Sequence, residues 1–339
     1  MRHWIFFLGK RFLLGILVLL GVVLITFIVT HVIPSDPAAK WAGPRATPEQ
    51  LKAARIELGL DKPIYIQFGD YLLKVVHGDL GKSLKSHMPV TQELLERLPA
   101  TIELVLWSTI AAFVIGLPLG VISAQRKGKL LDHFARFFSV GAVSLPSFWN
   151  ALLFQLVFFS FLGILPYGGQ VSQNIQLFSD IPHVTGFLML DSLITGNFPL
   201  FKDALLHMIM PGLALAAYPM GLSARMTRAA LLEILNEDYI RSARSYGLKE
   251  RKIIWSYAVK NSLGPTITVI TLSIGYTLVN TFLVESIFSW PGIGYYVAVA
   301  ITNLDFPAIM GVTLFSACSY VVLNLLADIV IALDPRVRK

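Results

Sequence analysis

The chain has 339 residues, of which 55% are hydrophobic and only 14% are charged, and its formal net charge is +7. Soluble globular proteins carry about 25% charged residues, so this composition excludes an ordinary soluble protein and indicates a chain solvated mainly by lipid. The single cysteine, Cys318, lies in an apolar run, which excludes an intrachain disulfide and a cysteine-based zinc site.

Six stretches without Asp, Glu, Lys or Arg are long enough to cross a membrane. A helix that spans a hydrocarbon core of about 30 Å needs roughly 20 apolar residues. The third stretch is the longest, and it has the length to tilt or to end in an interfacial segment. The sequence therefore predicts an all-α polytopic membrane protein with six transmembrane helices: Phe12–Ile33, Leu104–Ala124, Phe137–Leu165, Leu205–Ala224, Asn261–Val284 and Phe306–Ala327.

Several of the predicted spans contain proline. In a bilayer, neighbouring helices can re-satisfy the carbonyl groups that a proline frees. We therefore expect a bundle of kinked helices, with bends near Pro118, Pro146, Pro211, Pro219 and Pro265. Basic residues precede the first stretch, as in a signal peptide. However, the apolar run is too long and no small-residue cleavage site follows it, so we expect this helix to be retained.

The distribution of Lys and Arg predicts how the chain is oriented, because cytoplasmic loops of membrane proteins are enriched in these residues. With a cytoplasmic N-terminus, the cytoplasmic segments hold 18 of the 28 basic residues, whereas the two shorter outer loops hold only Lys202. The other nine lie in the long outer segment 34–100, where the rule has little force. We therefore expect both termini to be cytoplasmic, and we expect the positive charge to reflect topology rather than nucleic-acid binding.

The two larger outer segments differ in how much local structure they predict. In segment 34–100, Thr47 is a helix cap, Pro48 occupies the first helical position and Gln50 completes a capping box. We expect a surface helix over residues 48–58 that stops at Gly59. Segment 166–204 is polar and rich in Pro and Gly, and it is typical of an irregular loop with room for one short helix.

The largest cytoplasmic segment, residues 225–260, has the pattern of a short helix followed by a longer one. An acidic cap at 236–238 starts the first helix, Gly247 ends it, and a second helix over 249–262 leads into the membrane. Small residues on the first helix and its turn allow a partner surface to approach closely: Ser242, Ala243 and Gly247. Two interpretations remain open at this point, an ordinary basic juxtamembrane loop and a docking element for a cytoplasmic protein.

Motifs of one known family recur along the chain. Residues 238–248 and 261–265 match a loop with a characteristic spacing of three residues. Ala243 is followed, after three intervening residues, by Gly247 and later by Pro265. Further matches follow in order at 31–37, 57–63, 77–83, 98–104, 285–294 and 334–338. Over essentially its whole length the chain resembles binding-protein-dependent ABC importer permeases of the peptide branch, and within that branch the first permease subunits of dipeptide importers.

The resemblance implies a type I ABC importer permease fold and a transport role without catalysis by this chain. It implies three kinds of protein partner besides the lipid bilayer of the inner membrane: a homologous second permease, two cytoplasmic ABC ATPase subunits, and a periplasmic substrate-binding protein. The expected cargo is a dipeptide or short peptide, and a nickel chelate, glutathione or an oligosaccharide remain alternatives. No cofactor is implied.

The resemblance also assigns roles along the chain. It implies that loop 236–248 is a coupling helix seated in a cleft of an ATPase subunit. The docking residues would be Glu237, Asp238, Tyr239, Arg241, Ala243, Arg244, Gly247 and Leu248. The expected organisation has four parts. Residues 1–33 form an N-terminal transmembrane helix and residues 34–100 a periplasmic segment. Residues 101–333 form a core transmembrane domain that contains the cytoplasmic loop 225–262, and residues 334–339 form a cytoplasmic tail.

Two residues near the fifth span are candidates for the transport pathway. An acidic residue at membrane depth is a functional candidate, and Glu285 fits that description, although it could instead lie at the interface, hydrated or paired. Asp328 after the sixth span is a weaker candidate of the same kind. Trp290 begins the segment 290–294, which we interpret as a re-entrant outer loop near the binding protein. No residue has a partner at metal-ligand spacing, so we predict no metal site.

Two other function classes are weighed against a permease. An ion-coupled secondary transporter should show inverted repeats and paired charges within the membrane, and the sequence shows neither. A membrane-embedded enzyme should show a paired catalytic constellation within its spans, and none is visible. The segment Gly81-Lys82-Ser83 resembles the end of a phosphate-binding loop, but Val76 occupies the position of the first glycine, so we predict no nucleotide site.

Overall fold

The computed structural model of the chain describes residues 2–32, 36–43, 45–178 and 181–333. Within these ranges every regular element is helical, apart from an isolated bridge between Lys82 and Pro89, which confirms the predicted all-α fold. The predicted tail 334–339 and the end of the first predicted span, Ile33, lie outside the described residues. The chain divides into two compact units: unit 1 is residues 1–99 and 291–325, and unit 2 is residues 100–290 and 326–339.

Unit 1 combines long and short helices. The long helices are α1, most of α15 and the beginning of α5, and the short ones lie within residues 37–76 and 293–303. Their bounds are α1 Arg2–Val32, α2 Pro37–Ala42, α3 Pro48–Glu57, α4 Ile64–Val76, α5 Val90–Gln125, α14 Ile293–Asn303 and α15 Phe306–Leu333.

Unit 2 holds the rest of α5 and the helices up to Trp290. Two stretches in it are π-helical, Gln155–Phe161 and Ile253–Ala258. The α-helices are α6 Leu130–Ser144, α7 Ser147–Phe154, α8 Gln173–Phe178, α9 Leu188–Ile194, α10 Phe198–Ile234, α11 Asp238–Ser245, α12 Glu250–Lys252 and α13 Val259–Ile287. The second π-helical stretch joins α12 to α13, so residues 250–287 form one continuous helix.

Five described helices are long and apolar enough to cross a membrane: Gly9–His31, Val90–Gln125, Phe198–Ile234, Glu250–Ile287 and Phe306–Leu325. A sixth crossing is present if the pair Leu130–Ser144 and Ser147–Phe161, bent by 110°, counts as one span. Five of the six predicted spans are thus recovered, and the third predicted span differs in shape.

The difference concerns the predicted third span, Phe137–Leu165, which is broken rather than tilted. The break lies at Pro146, which has no N–H to donate and disfavours a helical conformation in the residue before it. Leu145 accordingly adopts extended backbone angles, φ −89° and ψ 132°. The other prolines in the predicted spans lie inside continuous helices: Pro118, Pro211, Pro219 and Pro265.

Residues 45–59 of unit 1 confirm the predicted capping box. Thr47 Oγ1 accepts the main-chain N–H of Gln50 at 3.3 Å, and Gln50 Oε1 accepts that of Thr47 at 2.8 Å. Gly59, with φ +68°, follows the end of α3 as expected. Sequence patterns did not predict α4, which lies beside α1 with the ring of Phe68 at 5.1 Å from that of Phe27.

Segment 166–204 contains more helix than predicted. It holds α8 and α9, and α10 already begins at Phe198. Asn197 caps α10, since its Oδ1 accepts the N–H of Leu200 at 3.1 Å. Helix α10 therefore continues well beyond both ends of the predicted span Leu205–Ala224.

Helix α10 is the centre of unit 2 because glycines let its neighbours approach closely. A Cβ atom on Gly116 of α5 would lie 2.7 Å from the carbonyl oxygen of Met220, and one on Gly120 would lie 2.5 Å from that of Ala224. On the side facing α6, a Cβ on Gly221 would lie 2.5 Å from a main-chain oxygen. Such small-residue contacts are a common way for membrane helices to associate.

Candidate functional site

The segment between α10 and the helix 250–287 is the candidate site that the sequence singled out. Helix α11 begins after Glu237, whose backbone is extended at φ −68° and ψ 148°. Asp238 lies in the first turn, where a negative charge is favourable. The cap differs from the expectation: the side chain of Asn236 donates to Leu232 O at 3.0 Å and so binds the end of α10 instead of starting α11.

Gly247 ends α11 as predicted. Its φ of +73° is accessible to glycine at little cost. The N–H of Gly247 donates to Arg244 O at 2.9 Å, and the N–H of Leu248 donates to Ala243 O at 3.3 Å. These two bonds form a Schellman motif, which satisfies carbonyl groups at the helix end and turns the chain toward the next helix.

One face of α11 is buried against the ends of the long helices. Ile240 is fully buried and Ala243 nearly so, and they form one apolar cluster with Leu231 of α10 and with Ile253 and Ile254 of the helix 250–287. Leu248 packs against the same cluster. Ala243 therefore faces the interior of this chain, whereas the sequence had suggested that it lets a partner approach. This burial packs α11 against the ends of both long helices.

The opposite face of α11 is exposed and carries aromatic and basic side chains. The residues on it are Tyr239, Arg241, Arg244 and Tyr246, and Tyr246 is 85% exposed. Arg244 pairs with Glu250 at 2.8 Å, and Tyr239 Oη accepts a hydrogen bond from Asn261 at 3.1 Å. These bonds connect the exposed face to the helix 250–287. The result is a small exposed surface with aromatic and basic side chains.

The two candidate pathway residues are both buried inside unit 2. Glu285 lies in the last turn of α13 and is 0% exposed. Its carbonyl oxygen accepts the main-chain N–H of Trp290 at 2.9 Å. The indole Nε1 of Trp290 donates to Ala100 O at 3.0 Å, and the ring belongs to an apolar cluster with Leu104 and Phe288. Both residues thus contribute to the interior of unit 2 in this conformation.

Sequence patterns missed two carboxylates whose hydrogen bonds hold segment 184–194 in place. Glu103 Oε1 accepts the N–H of Met189 at 2.7 Å, which connects α5 to α9. Asp191 accepts main-chain N–H groups of Val184, Thr185 and Gly186 at 2.8–3.0 Å. Burial opposes ionisation of Asp191, but the hydrogen bonds from Thr185 and the main chain leave its pKa below the usual value. The only feature of the sequence that pointed to Glu103 and Asp191 was that each is an acidic residue next to apolar residues.

A third missed residue is Asp132, at the start of α6. Its carboxylate is buried and accepts hydrogen bonds from the guanidinium of Arg228 on α10, from the hydroxyl of Ser123 at 2.6 Å and from the N–H of Gly128 at 2.9 Å. The turn between α5 and α6 is therefore fixed to α10. Among the described residues there is no group of three or more His, Cys, Asp or Glu side chains that could hold a metal ion.

Comparison with known proteins identifies relatives over almost the full length. The family described as "Binding-protein-dependent transport system inner membrane component" matches residues 116–339, and the corresponding N-terminal family matches residues 4–105. A probable D,D-dipeptide transport system permease protein, DdpB, from Escherichia coli K12 is 44% identical, with 95% of this chain and 94% of that protein covered.

Two further relatives have comparable coverage. The dipeptide transport system permease protein DppB of Escherichia coli K12 is 38% identical, and the di/tripeptide transport system permease protein DppB of Pseudomonas aeruginosa UCBPP-PA14 is 39% identical. Each alignment covers 98% of both chains. With its apolar spans, its type I permease fold and these matches, the chain belongs to the family of binding-protein-dependent transport system inner membrane components, which are transport permeases and not catalytic enzymes.

Proposed function

We propose that the chain is a permease subunit of an ATP-driven importer and that loop 236–248 transmits the movement of an ATPase partner to the membrane helices. The observation that carries this proposal is the position of Ile240. This side chain is fully buried between the end of α10 and the start of the helix 250–287, while the opposite face of α11 is exposed. A force applied to the exposed face is therefore passed to two long helices.

The proposed mechanism requires two arrangements of the helix bundle. A partner can shift an equilibrium only by its differential affinity for the two states. An ATPase subunit that closes on ATP would hold α11 in one position, and the packed cluster around Ile240 would resist deformation because protein interiors are close-packed. Movement of α11 would then change the access of the pathway between the two sides of the membrane.

The proposed partners follow from the family and from the resemblance of the motifs. The family name states dependence on a binding protein. We infer a periplasmic substrate-binding protein, a homologous second permease and two cytoplasmic ABC ATPase subunits that carry out ATP hydrolysis. This arrangement requires α11 to be cytoplasmic, and the distribution of Lys and Arg supports cytoplasmic N- and C-termini in the inner membrane.

We further propose that the cargo is a dipeptide or a short peptide. The three relatives are named for D,D-dipeptide, dipeptide and di/tripeptide transport. In this type of importer a separate binding protein does much of the selection, so a nickel chelate, glutathione or an oligosaccharide remains an alternative cargo for the same machinery. Ligand binding to the substrate-binding protein that is encoded with this permease would distinguish these solutes.

A pair of glycine variants tests the docking role. Gly247 and Gly128 both adopt a positive φ, +73° and +75°, and both have open space where a Cβ atom would lie, so Gly247→Trp and Gly128→Trp impose similar backbone strain. We expect Gly247→Trp to insert normally but to lose co-purification of the ATPase subunits and peptide uptake, and we expect Gly128→Trp to keep both. Unchanged uptake with Gly247→Trp would refute the docking role.

A further inference from the structure

A groove of about 410 Å³ opens on the surface at the start of the helix 250–287. Its lining residues are exposed and lie within a single stretch of eight positions: Lys249, Arg251, Lys252, Trp255 and Ser256. We call this set of five residues the basic groove. It lies outside loop 236–248 and has no role in the docking mechanism described above.

The basic groove carries three positive charges without an acidic partner in the described part of the chain. The acid that is adjacent in sequence, Glu250, pairs with Arg244 of α11 at 2.8 Å instead. Because none of the described carboxylates neutralises Lys249, Arg251 or Lys252, the groove is suited to an anion from outside the chain.

The position of the groove along its helix places it near the membrane surface. Trp255 precedes the apolar stretch that begins at Asn261 by six residues, which is roughly 9 Å along a helix, and the three basic residues of the groove precede it by nine to twelve residues, which is roughly 14 to 18 Å. The headgroup region lies just outside the hydrocarbon core, and Trp is enriched at that level. The long stems of Lys and Arg let their charged ends extend by several Å toward that level.

The groove also faces away from α11. On the same helical stretch Ile253, Ile254 and Ala258 are buried and pack in the cluster that holds Ile240 and Ala243. The lining residues Arg251, Lys252, Trp255 and Ser256 occupy the other side of the stretch and are exposed. A partner seated on α11 would thus leave the groove open, which favours a lipid occupant over an ATPase subunit.

We propose that the basic groove binds the phosphate headgroup of an anionic phospholipid. The phosphate oxygens would accept charge-assisted hydrogen bonds from Lys249, Arg251 and Lys252. The hydroxyl of Ser256 and the indole N–H of Trp255 supply two further donors. Clusters of Lys and Arg beside a membrane helix attract anionic headgroups in this way. The bound lipid would hold the start of the helix 250–287 at a fixed depth.

Native mass spectrometry of the full-length protein in mild detergent tests the proposal, with phosphatidylglycerol and phosphatidylcholine as the two probes. The test variant is Lys249→Gln/Arg251→Gln/Lys252→Gln. The control is Arg126→Gln/Lys127→Gln/Lys129→Gln, which removes the same number of exposed charges from the turn between α5 and α6. We expect the wild type and the control to prefer phosphatidylglycerol, and we expect the test variant to bind it more weakly by at least about tenfold.

The remaining outcomes would overturn the proposal. An unchanged lipid preference in the test variant would show that the groove does not bind lipid. An equal loss of phosphatidylglycerol binding in both triple variants would show a nonspecific effect of charge. Displacement of phosphatidylglycerol by millimolar inorganic phosphate would show a site for free phosphate instead of a lipid headgroup. Loss of ATPase co-purification with unchanged lipid binding would identify the groove as a protein interface.

Discussion

The guanidinium of Arg228 on α10 donates two hydrogen bonds, of 2.8 and 2.9 Å, to the buried carboxylate of Asp132 at the start of α6. The carboxylate side chain is 2% exposed and that of Arg228 is 22% exposed. Since Ser123 and Gly128 bind the same carboxylate, the pair connects the end of α5, the following turn, α6 and α10. This contact fixes the helix ends that lie beside the apolar cluster of α11.

Removal of the arginine should destabilise the protein strongly. Arg228→Ala leaves Asp132 as a buried charge without its ionic partner, and such losses cost about 3–5 kcal/mol. We expect the thermal midpoint of the purified permease in detergent to fall by on the order of 5–10 °C. The double variant Asp132→Ala/Arg228→Ala should fall by less than the sum of the single variants, and simple additivity would show that the two side chains are not coupled.

Adding one methyl group to a glycine at the contact of α5 with α10 should also destabilise the protein. In Gly120→Ala the new Cβ would lie 2.5 Å from Ala224 O and 2.6 Å from Thr227 Cβ, so the helices would have to separate. Overpacking of this kind costs about 1–3 kcal/mol. The matched control is Gly212→Ala on α10, where the nearest atom lies 3.9 Å away. The thermal midpoint should fall for the first variant only, and equal midpoints would contradict close packing.

Substitutions on the two faces of α11 should impair different steps of transport. Truncation of the buried side chain in Ile240→Ala removes the contact that transmits movement, and it costs about 2–5 kcal/mol of local packing. We expect Ile240→Ala to retain the ATPase subunits and their ATP hydrolysis but to lose transport. Tyr246 is 85% exposed, so Tyr246→Ala should keep the thermal midpoint and weaken ATPase co-purification.

Co-purification, ATP hydrolysis and uptake in proteoliposomes measure these separate effects. If Ile240→Ala transported peptide at the wild-type rate, the cluster around this residue would have no role in transmission.

Segment 184–194 should loosen in acid. The hydrogen bonds to Asp191 hold its pKa below the usual value despite burial. Its carboxylate therefore contributes stability that is fully present above the unfolded pKa of about 3.9. That stability is lost as the pH falls through the lower pKa of the folded state. The protection factors of the amides of Val184, Thr185 and Gly186, which compare each measured exchange rate with the intrinsic rate at the same pH, should therefore be high at neutral pH and fall below about pH 4. The variant Asp191→Asn should exchange faster than the wild type at neutral pH. Equal protection in the two proteins would argue against this carboxylate as the anchor.

Local signals predicted the parts of the fold that depend on neighbouring residues. The capping box of Thr47 and Gln50 and the helix end at Gly247 need only a few adjacent positions, and both are present in the structure. The break at Pro146 was harder to predict, because prolines inside membrane helices are often accommodated. Pro265 shows this, since it lies within a continuous helix. The same residue type therefore has two outcomes, which tertiary packing decides.

Contacts between distant residues could not be read from one sequence. Glu103 and Met189 are 86 positions apart, and Asp132 and Arg228 are 96 positions apart. No periodic pattern relates such pairs. In loop 236–248 the sequence indicated which residues form the element, but only the structure distinguishes the buried Ala243 from the exposed Tyr246. The division of the loop into an inner and an outer face therefore depends on tertiary structure.

The 110° bend at Pro146 has a consequence for the surrounding bilayer. Each half, Leu130–Ser144 and Ser147–Phe161, has 15 residues and extends at most roughly 22 Å, which is shorter than the roughly 30 Å thickness of a typical hydrocarbon layer. Acyl chains next to this part of the protein would contact a shorter hydrophobic surface than those beside the long helices. In a thicker membrane, hydrophobic mismatch would therefore arise first beside these two half-helices.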